Sequence, residues 1–247
     1  MYKVYQKLSA IIDPMFKHKK HLFFDLDKTV APSRQPILTE MFEHLSSLPH
    51  DIVIVSGQEV SKIKWQTNNL PAIRMGQNGN TAIDITGAQL WDVPLSAEHQ
   101  KEILEHIEKI LAIVDHEVNH EWTPIENRGS QITFSPIGNT APVEIKMVYD
   151  PDRKKRDALI EKVPFISDEL IVKIGGSKSI DYILKDRHKG TNVAKLIALK
   201  GWNKDDCLYF GDGLFPGGND EAVIGVIDTV PVTDHNHTYE LLQKYFE

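Results

Sequence analysis

Two hydrophobic patterns alternate near both ends of the chain. Short apolar runs, each typical of a buried strand, occur at 21–26 (HLFFDL), 52–55 (IVIV) and 207–210 (CLYF). Segments with apolar residues at helical spacing occur at 37–48, 58–70 and 190–200. Because β-branched runs that alternate with helices are typical of a parallel sheet covered on both faces, these segments predict an α/β core.

The pattern changes in the middle of the chain. Helices are predicted there at 96–114 and 151–163, and strands at 132–137, 170–176 and 179–184. Helices followed by paired strands are typical of a smaller α+β lobe with an antiparallel sheet. We therefore predict a core formed by residues 1–85 and 186–247, interrupted by an inserted domain at 86–185.

Composition and charge narrow the range of partners. A net charge of −7 in 247 residues, with a pI near 5.9, argues against a nucleic-acid binder, which normally has a basic face. The chain has one cysteine, Cys207, no signal-peptide pattern and no apolar run long enough to cross a bilayer. We therefore expect a cytoplasmic protein without a membrane partner, in which residues 4–16 form a short helix packed on the core.

The first candidate for chemistry is a pair of carboxylates directly after the first predicted strand. Asp25 and Asp27 stand in the sequence DLDKT. A carboxylate can attack phosphorus once a cation screens its repulsion from the phosphate, and a second carboxylate can act as general acid and base. A five-residue pattern also recurs by chance, so an ordinary acidic turn explains this segment equally well when it is taken alone.

A second acidic cluster follows the strand predicted at 207–210. Asp212 comes directly after that strand, and a glycine-rich loop separates it from Asp220. Ligands of open α/β sheets bind outside the carboxyl ends of the strands, so these two residues and Asp25 are expected to meet. Carboxylate oxygens are hard ligands that suit Mg²⁺, which also bridges to phosphate.

Two further residues complete a candidate phosphate site. Ser56 follows the strand at 52–55, and its hydroxyl and the neighbouring amide can bind phosphate oxygens. Lys189 opens the helix at 190–200 and can neutralise charge on the nucleophile and the phosphate. Taken singly, Ser56 is more often a helix cap and Lys189 a solvated lysine; the ordered set is more informative than any member.

In that order the motifs resemble the haloacid dehalogenase-like superfamily of phosphatases and mutases, which has a Rossmann-like parallel-sheet core. The resemblance implies that Asp25 is the nucleophile and a Mg²⁺ ligand, and that Asp27 is the acid and base and coordinates the metal through its backbone carbonyl. It implies that Ser56 and Lys189 bind the phosphoryl group. Of the remaining pair, Asp212 would be a direct metal ligand, and Asp220 would support the metal through water or from a second layer.

The inserted domain occupies the place of the α+β (type C2b) cap of subfamily IIB. The sequences SPIG at 135–138, GGSKSID at 175–181 and PGGND at 216–220 resemble eukaryotic-type phosphomannomutase. In that family an arginine seven residues before the SPIG serine binds substrate, and a serine and an aspartate after the GG pair hold the sugar. The corresponding residues here are Arg128, Ser179 and Asp181.

The chain departs from the phosphomannomutase pattern at three positions. Lys28 replaces a glycine between Asp27 and the threonine of the first motif. Asn139 replaces an arginine that binds the distal phosphate, and Lys146 replaces a further cap arginine. Neither asparagine nor lysine reproduces the planar bidentate grip of a guanidinium, so a weaker distal phosphate site is expected.

Together these features predict a Mg²⁺-dependent enzyme that acts on a small-molecule sugar phosphate, with a phosphatase favoured over a phosphomannomutase. A non-catalytic sugar-phosphate-binding domain is the alternative from another class. An intact pair of nucleophile and acid/base, Asp25 and Asp27, argues against it, since a binding domain needs neither. A homodimer formed through the cap is a further implication of the resemblance.

Overall fold

A computed structural model describes residues 16, 18–115, 118–175 and 178–246, and these form two compact units. The first unit combines the described residues up to Asp92 with those from His188 onward, and the second is Val93–Arg187. The predicted insertion began at residue 86, but residues 89–92 form a strand of the first unit's sheet. The predicted helix at 4–16 lies outside the described residues except for Phe16.

The described strands are β1 (His21–Asp25), β2 (Asp51–Val55), β3 (Ile73–Gly76), β4 (Thr81–Ile83), β5 (Gln89–Asp92), β6 (Ile125–Asn127), β7 (Gln131–Phe134), β8 (Leu170–Gly175), β9 (Ser179–Leu184), β10 (Cys207–Gly211) and β11 (Asp228–Pro231). The described α-helices are α1 (Thr39–Ser47), α2 (Val60–Gln66), α3 (Ala97–Leu111), α4 (Val143–Tyr149), α5 (Lys154–Lys162), α6 (Lys189–Lys200) and α7 (His235–Tyr245). Among the described helices, none is both long and apolar enough to cross a membrane.

The first unit is built on a seven-stranded sheet in the order β11-β10-β1-β2-β3-β4-β5. The first five strands in that order are parallel, whereas β4 and β5 are antiparallel additions. All five residues of β1 are buried, as expected for a central strand covered on both faces. The predicted α/β class with a parallel core sheet is therefore confirmed.

Helix α6 is held at its first turn by a cap and by a close backbone contact. The side chain of His188 accepts a hydrogen bond from the backbone N–H of Thr191, which satisfies one of the free amides of the helix start. At Gly190 an added Cβ would lie 1.8 Å from the carbonyl oxygen of Ala222, so a side chain is excluded there. Both constraints fix the position of Lys189.

The second unit contains a four-stranded antiparallel sheet in the order β6-β7-β9-β8. One hydrophobic cluster joins α3 to residues of this sheet: Leu95, Ile103, Ile107, Ile110, Ile132, Phe134, Leu170, Ile180 and Tyr182. Because side chains alternate along a strand, the neighbouring positions Gln131, Thr133 and Asp181 belong to the other, polar face. The strand predicted at 132–137 is shorter than expected: β7 ends at Phe134, where the SPIG turn begins.

Candidate active site

Three of the predicted site residues lie at strand ends along one edge of the core sheet. Asp25 is the last residue of β1, Ser56 follows β2 and Asp212 follows β10. β1 is paired in parallel with both β2 and β10, so the carboxyl ends of the three strands are neighbours. The local sequence thus places these polar groups at the position where α/β sheets bind ligands.

A buried lysine joins two of the carboxylates. The ammonium of Lys189 donates hydrogen bonds to Oδ1 of Asp25 and, over 2.7 Å, to Oδ1 of Asp220. All three side chains are buried. A charge buried in this way is stabilised only by paired charges and hydrogen bonds, so the three groups depend on one another.

Asp220 has hydrogen-bond donors on both carboxylate oxygens. The hydroxyl of Tyr209 donates to Oδ1 over 2.7 Å, and the backbone N–H of Gly213 donates to Oδ2 over 3.1 Å. Burial, followed by the charge of Asp220, raises the pKa of Tyr209 well above its usual value, so this hydroxyl keeps its proton. The arrangement holds Asp220 rigidly beside Lys189.

Asp212 completes a group of three carboxylates. One ligand oxygen from each of Asp25, Asp212 and Asp220 lies within 4.8 Å of the others. The backbone N–H of Asp212 donates to Oγ1 of Thr29 over 3.1 Å, which ties the loop after β10 to the loop after β1. A set of converging hard oxygen donors with no sulfur or nitrogen ligand fits a divalent cation such as Mg²⁺.

Burial and mutual repulsion raise the pKa values of two carboxylates in this cluster. Burial raises the pKa of Asp25 to about 7, against the attraction of Lys189 and with the repulsion of Asp220 and Asp212. Burial and the charge of Asp220 likewise raise the pKa of Asp212. Burial acts to lower the pKa of Lys189, but the negative charges of Asp25 and Asp220 outweigh it and raise that pKa. A bound divalent cation would supply the missing positive charge.

Asp27 is held by two glutamines that the sequence did not single out. Gln58 Nε2 donates to Oδ2 of Asp27 over 2.8 Å, and Gln66 Nε2 donates to Oδ1 over 2.9 Å. Gln58 also donates to Oε1 of Gln66, and the backbone N–H of Arg34 donates to Asp27. A buried glutamine on an otherwise apolar face of α2 was the available signal for Gln66.

Ser56 and Lys28 flank this cluster. The hydroxyl of Ser56 is buried and accepts a hydrogen bond from the backbone N–H of Gln58 over 3.2 Å. Lys28 takes a left-handed backbone conformation, with φ of 63°, at the position where the resembling family has glycine. The ammonium of Lys28 acts to lower the pKa of Asp212, but the larger effect of burial leaves that pKa raised.

The five other predicted site residues lie in the second unit. Arg128 follows β6 and pairs with Glu126 over 2.7 Å, while Asp181 on β9 is opposite Thr133 of β7. Burial raises the pKa of Asp181, against hydrogen bonds from Thr133 and Gln131 and the charge of Arg128. Thus two of the predicted substrate-binding residues, Arg128 and Asp181, interact electrostatically.

The other three predicted site residues of the second unit lie in different local environments. Ser179 opens β9, and its carbonyl oxygen accepts a hydrogen bond from Nη1 of the buried Arg156 over 3.1 Å. Asn139 follows the SPIG turn and accepts a hydrogen bond from Lys178 over 2.7 Å. Lys146 lies on α4.

Comparison with known proteins identifies one matching family and several similar phosphomannomutases. A family model described as haloacid dehalogenase-like hydrolase matches residues 22–220. A phosphomannomutase of Schizosaccharomyces pombe is 26% identical over 92% of this chain and 95% of its own length. Phosphomannomutase 2 of Dictyostelium discoideum is 27% identical over 90% of this chain and 95% of its own length.

Solved structures support the same fold. A haloacid dehalogenase-like hydrolase from B. subtilis superimposes with a TM-score of 0.65 at 11% identity, covering 91% of this chain and 99% of that one. An IMP-bound IMP-nucleotidase of Plasmodium falciparum gives a TM-score of 0.65 at 19% identity, covering 94% of this chain and 69% of that one. At these identities the likeness concerns the fold alone.

Proposed function

This chain belongs to the haloacid dehalogenase-like hydrolase family, and on that premise we propose that it is a Mg²⁺-dependent sugar phosphatase whose nucleophile is Asp25. The family and the phosphomannomutase relatives make the protein a phosphatase or mutase enzyme. The finer proposal, which names the metal, the nucleophile and the substrate class, depends on the geometry of the core unit.

One observation carries the proposal: Asp25 ends the central strand β1 and converges with Asp212, Asp220 and Lys189. A nucleophilic carboxylate needs positive charge around it before it can approach a phosphate dianion. Lys189 provides one such charge. Asp25 and Asp212 would be the direct metal ligands, and Asp220, with donors on both oxygens, would support the site without direct ligation.

The reaction would proceed in two displacements at phosphorus. A bound Mg²⁺ would neutralise charge on the phosphoryl oxygens. In the first displacement a carboxylate oxygen of Asp25 forms a bond to phosphorus, the bond from phosphorus to the sugar oxygen breaks, and Asp27 donates a proton to that oxygen. In the second, Asp27 takes a proton from water, the water oxygen attacks phosphorus, and the bond to Asp25 breaks. Ser56 and Lys189 would hold the phosphoryl oxygens throughout.

Substrate selection is assigned to the second unit. Arg128, Ser179 and Asp181 offer a cation, a hydroxyl and a carboxylate, which are groups that bind a phosphate and sugar hydroxyls. Asp181 also has a buried oxygen, Oδ1, without a hydrogen-bond partner. Such an atom is expected where a polar ligand normally binds.

A phosphomannomutase is the second candidate, and the relatives favour it. Proteins named phosphomannomutase match 90% or more of this chain at 26–27% identity in S. pombe and D. discoideum. In a mutase the phosphoryl group on Asp25 would be transferred to a second hydroxyl of the sugar in place of water.

A screen of phosphorylated sugars tests both candidates. Each compound is incubated with Mg²⁺ or EDTA, and free phosphate and isomerised sugar phosphate are measured separately. We expect Mg²⁺-dependent release of phosphate that exceeds isomerisation, and loss of both activities in Asp25→Asn, whose neutral amide is a poor nucleophile. Efficient isomerisation with little free phosphate would replace the phosphatase by the mutase, and normal turnover by Asp25→Asn would exclude both.

A further inference from the structure

The turn between β3 and β4, residues 77–80 (QNGN), has an unusual backbone. Three consecutive residues, Gln77, Asn78 and Gly79, have left-handed φ angles of 55°, 60° and 88°. Glycine takes such angles freely, asparagine tolerates them, and glutamine rarely adopts them. Backbone strain of this kind persists only where the surrounding structure imposes it, and it is concentrated at functional sites. The contacts that hold the 77–80 turn therefore bear on the function of the site beside it.

The turn supports the loop that carries Ser56. The backbone N–H of Asn78 donates to the carbonyl oxygen of Ser56 over 2.8 Å, and the backbone N–H of Gln77 donates to that of Gln58, also over 2.8 Å. Ser56 is a proposed phosphoryl-binding residue, and the side chain of Gln58 binds Asp27. A shift of the turn would therefore displace both groups.

Asn192 holds this turn from helix α6. Its Nδ2 donates to the carbonyl oxygen of Asn78 over 2.9 Å and to Oδ1 of Asn80 over 3.2 Å. Asn192 is only 1% exposed, so water cannot readily replace these bonds if they are lost. At Gly79 an added Cβ would lie 2.5 Å from Cβ of Asn192, which shows that the helix and the turn are in direct contact.

Two other hydrogen bonds hold the turn from different directions. The indole N–H of Trp91 on β5 donates to the carbonyl oxygen of Gly79 over 2.8 Å. Nδ2 of Asn80 donates to the carbonyl oxygen of Gln77 over 2.9 Å, within the turn itself. The bonds from Asn192 differ from these because they join the turn to α6, the helix that begins at Lys189.

We propose that Asn192 is a positioning residue for phosphoryl transfer. By bonding the 77–80 turn to α6, it sets the distance between the two proposed phosphoryl-binding groups, the hydroxyl of Ser56 and the ammonium of Lys189. Lys189 lies three residues before Asn192 on the same helix, about one turn away, so the two residues are held in a fixed relation. The inference rests on the proposed function, because it assumes that Ser56 and Lys189 bind the phosphoryl group.

Asn192→Leu tests the assignment, because leucine has a similar volume and cannot donate a hydrogen bond. We measure kcat and KM for a sugar phosphate and for 4-nitrophenyl phosphate, and the Ki of inorganic phosphate as a competitive inhibitor. Weakening of one bond to the phosphoryl group should raise that Ki by about tenfold. Misplacement of the same group should lower kcat/KM by about 10- to 100-fold, and equally on both substrates, since both carry the transferred phosphoryl group.

A purely structural role would give a different result. Loss of folded protein lowers the apparent kcat in proportion to the active fraction, but KM and Ki stay unchanged in the molecules that remain folded. An unchanged Ki in Asn192→Leu, or a fall in kcat alone, would overturn the proposal. If Asn192→Leu does not fold, Asn192→Ala removes the same donor without added bulk and is measured with the same expectations.

The matched control is Asn203→Leu. Asn203 is an exposed asparagine of the same unit whose Oδ1 accepts a hydrogen bond from the backbone N–H of Asp205 over 3.2 Å. Its replacement should leave the Ki of inorganic phosphate unchanged. A rise equal to that in Asn192→Leu would overturn the assignment to Asn192.

Ser56→Ala separates this inference from the proposed function. If Ser56 binds the phosphoryl group, this variant should raise the Ki of inorganic phosphate by about tenfold. Adding Asn192→Leu should then raise the Ki by less than the product of the two single effects, because both changes act on the same contact. A raised Ki in Ser56→Ala with an unchanged Ki in Asn192→Leu overturns the inference alone. An unchanged Ki in Ser56→Ala overturns the phosphoryl-binding role of Ser56 in the proposed function, and the inference with it.

Discussion

Gln66 donates a hydrogen bond from Nε2 to Oδ1 of Asp27 over 2.9 Å, from a side chain that is almost completely buried on α2. Gln58 binds the other oxygen of the same carboxylate. The two amides fix the orientation of the proposed acid and base, so they act as positioning residues for proton transfer.

Replacement of Gln66 by leucine should therefore lower kcat on a sugar phosphate by about tenfold, since Asp27 loses one of its amide donors. KM should change little, because Gln66 does not belong to the proposed substrate contacts. Steady-state kinetics measure both values. The control is Gln35→Leu at an exposed position, and a normal kcat in Gln66→Leu would show that its hydrogen bond has no catalytic consequence.

Metal dependence gives a second prediction. Chelation should abolish activity, Mg²⁺ should restore it, and Ca²⁺ should support it poorly because it prefers more ligands and looser geometry. Asp212→Asn should raise the Mg²⁺ concentration needed for half-maximal activity by about 10- to 100-fold, since one carboxylate ligand is lost. Full activity of the metal-free protein would contradict the assignment.

Arg128→Ala should separate recognition from chemistry. We expect KM for a sugar phosphate to rise about tenfold more than KM for 4-nitrophenyl phosphate, because the small substrate has no second group for Arg128 to bind. Arg153→Ala, which breaks an exposed pair with Asp157 in the same unit, is the matched control. Equal losses on the two substrates would assign Arg128 to folding, through its pair with Glu126.

Lys28→Gly should stabilise the protein. A non-glycine residue at φ of 63° carries a steric cost of about 1–2 kcal/mol, which glycine avoids at some cost in unfolded-state entropy. The net increase in the free energy of unfolding should be about 0.5–1 kcal/mol relative to Lys28→Ala, since alanine also lacks the charge but keeps the strain. Chemical denaturation compares the two variants, and equal stabilities would argue against strain at this position.

Asp150→Asn should strongly destabilise the second unit. Asp150 and Arg156 form a fully buried pair with Nε to Oδ2 at 2.7 Å, and breaking a buried ion pair by neutralising one partner costs about 3–5 kcal/mol. Burial opposes the charge of Asp150, but hydrogen bonds from Arg156 and neighbouring amides lower its pKa below 3.8.

The lowered pKa of Asp150 makes the stability of the second unit depend on pH. A carboxyl whose pKa is lower in the folded state stabilises the fold above its unfolded pKa and loses this effect as the pH falls through the folded value. Asp150→Asn and the original protein should therefore differ most at neutral pH and converge below pH 3.8. Denaturation at several pH values measures this, with Asp157→Asn, from an exposed pair, as the control.

The sequence predicted the parallel core well because its central strands are continuous apolar runs that end in acidic residues. β1, β2 and β10 lie within a residue of their predicted ends, so the convergence of Asp25 and Asp212 was also predictable. β3 was missed because Arg74 interrupts a short run, although its guanidinium is buried and donates to the carbonyl oxygen of Leu70.

Strands β4 and β5 and the contacts of Gln58 and Gln66 with Asp27 could not be predicted, for two other reasons. β4 and β5 are three and four residues long, too short for their alternation to be distinguished from a loop. Gln58 and Gln66 are separated from Asp27 by 31 and 39 residues, and only the pairing of β1 with β2 brings them together.

The insertion of the second unit between β5 and α6 has a consequence for the order in which the enzyme is made. Lys189, Asp212 and Asp220 all follow Arg187, so the ribosome must synthesise the entire second unit before any of these residues emerges. Until then β1 has β2 as a neighbour but lacks β10, and Asp25 lacks its counter-ion. Domains generally fold as units during synthesis, in order from the N-terminus. A nascent chain therefore carries Asp25, the proposed nucleophile, for most of translation without the three residues that converge on it in the folded protein.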